Sequence, residues 1–134
     1  MPVNQFSVAE EAVAVPSRIV AAWEKNDGDA FADTFTEDGT MILPGDVFLT
    51  GREQIRAFMR QAYAGPYSGT RVFGEPLSVR AVGEDVVVVV TRGGVLAPGE
   101  TEVAPERTIR ATWVIGREDG QWLVAAYQNT PVGA

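Results

Sequence analysis

The chain has 134 residues, enough for one domain and too few for two with good cores. Its net charge of −7, with ten arginines and the single Lys25 as the basic residues, opposes a phosphate backbone, so no nucleic-acid partner is expected. The sequence has no cysteine, which excludes disulfides, thiolate catalysis and cysteine metal sites, and no histidine, which removes the usual neutral-pH acid/base and the commonest metal ligand. Proton transfer is left to a carboxylate, a tyrosine, Lys25, the α-amino group or the substrate itself.

Ser7-Val8-Ala9-Glu10 has the form of a capping box and predicts a helix start, with Pro16 expected to kink or restart the helix. No basic region followed by an apolar block precedes it, so no leader is expected and the cytoplasm is the expected compartment. From Pro16 the apolar positions Ile19, Val20, Ala22 and Trp23 are spaced as on a helix. Asn26-Asp27-Gly28 breaks it, and Asp27 is placed to cap a short second helix carrying Phe31 and Phe35. Glu37-Asp38-Gly39 reads as a turn. Thr40 to Leu43 and Val47 to Thr50 read as a hairpin around Pro44-Gly45-Asp46. A third helix is predicted over Arg52 to Ala64, with Ile55, Phe58, Met59 and Ala62 on one face and Arg52, Arg56 and Arg60 on the other. Gly65-Pro66 stops it. Strands are predicted over Thr70 to Val82, Val86 to Leu96, Thr108 to Gly116 and Trp122 to Asn129. The longest uniform apolar run, Val86 to Val90, is far short of the roughly 18 residues needed to span a bilayer, so no membrane partner is expected. No repeat, linker or dinucleotide fingerprint interrupts the chain, so residues 1–134 read as one domain without cofactor or metal. Helix, helix, short hairpin, helix and a long antiparallel meander predict an α+β fold in which a bent sheet wraps three helices.

This order resembles the nuclear transport factor 2-like superfamily, which implies a cone-shaped fold with one small-molecule pocket. The resemblance rests on "ND" followed by Phe35 and "EDGT", on "TGREQIRAFMRQ" (similar to a stretch of ketosteroid isomerases) and on "DGQWLVAAYQNTP" as the closing strand. "AWEKNDGDAFADTFTEDGTMILPGD", "YAGPYSGTRVFGEP", "TRGGVLAPGETEVAPERTIRATW" and "AAYQNTP" are similar to the SgcJ/EcaC-type, SnoaL-like family of actinomycete natural-product clusters. That likeness implies a setting in polyketide, notably enediyne, assembly, with possible contact to a polyketide synthase. The ketosteroid isomerase register puts that family's catalytic carboxylate at Leu43, its oxyanion phenol at Ile19 and its second oxyanion donor at Thr112. None of the three groups is present, so steroid isomerisation is rejected. Scytalone-dehydratase chemistry fails for want of histidine.

The same register implies the pocket wall. It brings Ile19 and Trp23 from the first helix, Met41 and Leu43 from the first strand, Phe58 and Met59 from the third helix, Arg110, Thr112 and Val114 from the fifth strand, and Ala125, Tyr127 and Asn129 from the last. The expected ligand is a hydrophobic small molecule or intermediate. Arg110, Tyr127 and Asn129 are the catalytic candidates. An inward Arg110 requires either Glu102 or Glu106 as partner or an anionic ligand. Asp46 reads as a turn residue, with a base swung toward the pocket mouth as the alternative, and Arg92 as a solvated or rim residue. Trp113, Ile109 and Trp122 fall at outward parity and would need cover, which predicts a homodimer joined sheet to sheet.

Overall fold

The computed structural model describes residues 2–132, with side chains from Glu10 onward. Helix α1 runs Pro2–Glu24, α2 Gly28–Asp33 and α3 Arg52–Ala64. Six strands follow the order β2-β1-β6-β5-β4-β3: β1 Phe35–Leu43, β2 Val47–Thr50, β3 Arg71–Ala81, β4 Val86–Leu96, β5 Ile109–Glu118 and β6 Gln121–Pro131. All neighbours are antiparallel except β1 and β6. This is the expected α+β architecture, with the helices on the inner face of the sheet.

Two helix boundaries differ from expectation. The capping box at Ser7 does not open α1, which is already helical from Pro2, and Pro16 sits inside the helix without ending it. Proline there gives up only the bond to the Ala12 carbonyl, while Ala12, Val15 and Ile19 still bury one continuous face. Phe35 belongs to β1 rather than to α2; it stacks on Phe31 at 5.7 Å across the helix-to-strand junction. Asp27 does cap α2, its Oδ1 accepting from Ala30 N at 3.0 Å. Gly28 lets α2 meet α3, since a Cβ there would stand 2.9 Å from Arg60 N. The expected Glu37-Asp38-Gly39 turn is an irregularity within β1, where the register to β6 shifts between Phe35 and Thr40.

A bulge sets the inner face of β6. Val114 pairs with Ala126 but Ile115 pairs with Val124, leaving Ala125 as the extra residue. Side chains alternate along a strand, so an inserted residue reverses the parity beyond it. Trp122 and Val124 point inward on one side of the bulge, and Tyr127 and Asn129 on the other. The core therefore takes Phe35, Met41, Ile55, Met59, Val87, Val89, Ala111, Trp113, Ile115, Trp122 and Val124.

A candidate small-molecule cavity

Between α1 and the sheet lies a cavity of about 850 Å³. Ile19 and Trp23 of α1, Met41 and Leu43 of β1, Phe58 and Met59 of α3, and Tyr127 and Asn129 of β6 all line it. Its floor is made by two rows across the sheet: Thr91, Ala111 and Asn129 are register partners in one, and Val89, Trp113 and Tyr127 in the next.

The fifth strand departs from the expected wall. Arg110, Thr112 and Val114 face outward, while Ala111, Trp113 and Ile115 are buried on the inner side. The isomerase register places β5 one residue out, and with period-two alternation that slip exchanges the two faces. Arg110 is exposed and opposite Arg92, so neither an inward ion pair nor an anion anchor is formed there. The residues expected on the outer face, where they would need cover, are inward too. Ile109 and Trp113 line the cavity, and Trp122 lies under α1, its Nε1 donating to Glu11 Oε2 at 3.1 Å. The β5 offset accounts for the first two and the Ala125 bulge for Trp122. The outer face carries Val86, Val88, Val90 and Val114 instead, interleaved with the buried Val87 and Val89. Asp46 stays in its turn with φ 63°.

Most polar groups on the lining are already paired. Trp23 Nε1 donates to Thr70 Oγ1 at 2.8 Å, and that hydroxyl donates to the Tyr67 carbonyl at 2.7 Å. Trp113 Nε1 donates to Thr91 Oγ1 at 3.0 Å. Asn129 Nδ2 donates to the Tyr127 hydroxyl at 2.9 Å. Tyr127 packs edge-on against Trp113 with ring centroids 4.5 Å apart, and burial pushes its phenol up to about 12. Burial also raises Tyr67. At the rim Arg107 pairs with Glu100 and donates through Nε to the Val95 carbonyl at 3.4 Å. Glu106 is the one carboxylate on the lining among the described residues.

The profile of the SnoaL-like domain matches residues 17–125. The chain belongs to the SnoaL-like family. Its fold is shared with a domain of unknown function with a cystatin-like fold from Nostoc punctiforme, at 30% identity, TM-score 0.85, and coverage of 94% of this chain and 78% of that one. A nuclear transport factor 2-like protein from Novosphingobium aromaticivorans superposes with TM-score 0.84 at 19% identity, covering 99% of this chain and 87% of that one. A ketosteroid isomerase-like protein from Erwinia carotovora atroseptica gives TM-score 0.73 at 18% identity, with 94% and 97% covered. No curated protein matches the chain. Among the described residues no helix is long and apolar enough to cross a membrane.

Many residues of this SnoaL-like cavity escaped the sequence reading, Thr91, Trp113 and Tyr67 among them. Thr91 follows a valine run that hides the alternation of β4, and Trp113 sits on β5, whose faces the isomerase register reversed. Tyr67 follows α3 in the Gly65–Gly69 turn, where no periodicity exists to report facing. Its ring lies 5.0 Å from Trp23, and the aromatic spacing of Trp23, Tyr63 and Tyr67 was the only available clue.

Proposed function

We propose that this SnoaL-like protein binds an apolar intermediate of polyketide, enediyne-type, natural-product assembly and shapes it for isomerisation, cyclisation or dehydration without a cofactor. The observation that carries this is the cavity: about 850 Å³, walled mainly by aliphatic and aromatic side chains, with the Tyr127–Asn129 pair among its polar groups. A site of this size and make-up suits a drug-sized lipophilic ligand. Confinement in a reactive conformer and a positioned hydrogen-bond donor supply the rate enhancement. The SgcJ/EcaC-like segments supply the polyketide setting by analogy.

A second reading, a non-catalytic carrier or accessory subunit of the polyketide synthase, is favoured by one observation. With Arg110 outward, the lining offers no free cation among the described residues, and its one carboxylate, Glu106, sits at the rim. In either reading the outer sheet face, with its valines on β4 and β5, joins two copies as a homodimer, which sedimentation of the wild type against Val88→Lys checks. Product formation in a reconstituted pathway separates the readings. The enzyme predicts a loss of turnover of about tenfold or more in Tyr127→Phe at saturating ligand, beyond any weakening of binding. The carrier predicts stoichiometric recovery of unchanged ligand, and its largest loss of binding when Trp23 is made polar.

A further inference from the structure

We propose that the cavity selects an uncharged ligand bearing a carbonyl oxygen, and that the Tyr127 hydroxyl is the group that holds this oxygen. The proposal rests on the reading of the cavity as a small-molecule site and narrows its ligand class.

The argument starts from which polar groups on the lining are still unspent. Both indole N–H groups are satisfied by threonine hydroxyls, and the Arg107 guanidinium by Glu100 and the Val95 carbonyl. Three lining hydroxyls, those of Tyr67, Thr91 and Tyr127, have no acceptor among the described residues, but Tyr127 alone is a phenol, a better donor than the Thr91 alcohol, that also accepts a bond, which Tyr67 does not. The Tyr127 oxygen accepts from Asn129 Nδ2, and no group among the described residues accepts its hydroxyl hydrogen. A phenol that already accepts one bond is polarised into a better donor through its hydrogen. Its ring is fixed edge-on by Trp113 at 4.5 Å, so the donor is held in direction. The orientation of the Asn129 amide follows from what surrounds it. Its Oδ1 is buried without a partner. Turning the amide over would strand the two-donor nitrogen there instead, and buried orphan donors are rarer than under-satisfied acceptors. Asn129 is thus a positioning residue that keeps Tyr127 donating outward into the cavity.

A donor calls for an acceptor, and the charge around the cavity chooses which. A carboxylate or phenolate entering this space would lose its hydration with no free cation to replace it, since Arg110 is outward and Arg107 is paired. Glu106 at the rim and the net charge of −7 oppose it further. A ketone or comparable carbonyl accepts the same hydrogen bond without that penalty.

Three probes of nearly equal shape test the assignment by titration at neutral pH: acetylnaphthalene, isopropenylnaphthalene and naphthoate of the same ring position. The expected result is that the ketone binds about tenfold tighter than the alkene, and naphthoate weakest. In Tyr127→Phe the ketone falls to the level of the alkene, whose affinity is unchanged. The carbonyl stretch of bound acetylnaphthalene shifts to lower frequency in the wild type, less in Asn129→Ala, and not in Tyr127→Phe. Equal binding of ketone and alkene, tightest binding of naphthoate, or a ketone preference that survives in a folded Tyr127→Phe would overturn the donor assignment while leaving the cavity a ligand site. Failure of all three probes to bind overturns the small-molecule reading itself, and the assignment with it.

Discussion

The two ends of the inner face are built to opposite purposes. At one end α2 and α3 pack onto β1, and Ile55, Ile115 and Val124 are completely buried without touching the cavity. At the other, Trp23, Phe58, Leu43 and Tyr67 are only half-buried and stand around open space, and β3 is exposed along most of its length. Apolar side chains that could close on one another are instead held apart by α1, the sheet floor and the turn after α3. The difference puts more of the packing away from the cavity and leaves the hollow end room for a small molecule.

The sharpest challenge to that division is Gly93, which lies at the hollow end. A Cβ there would stand 1.8 Å from the Phe73 carbonyl oxygen, so Gly93→Ala must push β3 off β4. We expect it to cost about 4 kcal/mol or more, the largest effect of any substitution considered, read by urea denaturation. At the packed end Ile55→Ala should cost about 2–5 kcal/mol with ligand affinity unchanged. Phe58→Ala, on the same helix but facing the cavity, should cost less than half as much in stability and most of its effect should fall on affinity. Equal losses of stability at 55 and 58 would show that the cavity wall is as tightly packed as the core.

The same two ends differ in how far the sequence discloses them. The helical wall was legible: the spacing of Ile19 with Trp23 and of Ile55 with Phe58 and Met59 reports facing directly, because a helix has one apolar stripe and no register to lose. The order of elements was legible for the same reason, together with the turn residues between strands. The sheet floor was not. The run Val86 to Val90 is apolar on both faces of the sheet, so it conceals the alternation that would show Thr91 inward. With β5 anchored on an analogy, a slip of one residue exchanged Arg110 and Thr112 for Ala111 and Trp113. On β6 the bulge at Ala125 breaks parity with no glycine or proline to signal it.

Tyrosines supply the next test. All three, Tyr63, Tyr67 and Tyr127, are raised by burial, Tyr127 to about 12. Unfolded phenols ionise near 10. The folded chain therefore holds protons that the unfolded chain releases. Stability is undiminished below about pH 10 and declines as pH rises from there through about 12. Phenolate absorbance should appear together with loss of near-ultraviolet dichroism, not before it. In Tyr127→Phe the alkaline decline should be shallower. A wild type that shows a tyrosine ionising near 10 while still folded would mean that the cavity end admits water freely.

The smallest expected effects come from the arginine clasps, one at each end. Arg56 joins α3 to α2 through Asp29 at 3.2 Å and Asp33 at 2.9 Å, with Glu53 at 3.0 Å on its own helix. Arg107 holds the β4–β5 connection through Glu100, which also accepts from Ala97 N at 2.8 Å. The Arg56 hydrogen bond holds the Asp29 carboxyl below its ordinary value, and Arg107 does the same for Glu100. Both shifts are downward, so the contribution of each clasp is present above about pH 4 and is lost as pH falls through the lowered values. The Arg56 side chain is 18% exposed against 39% for Arg107, and Arg56 has three carboxylate partners where Arg107 has one. Arg56→Met should therefore lower the melting temperature at neutral pH more than Arg107→Met, and the gap between the two variants should close at pH 3 or in high salt. Arg107→Met should leave melting nearly unchanged and speed ligand release, because it frees the rim at Glu106 and Thr108 and not the core. A larger melting shift from Arg107 than from Arg56 would place the stronger clasp at the hollow end.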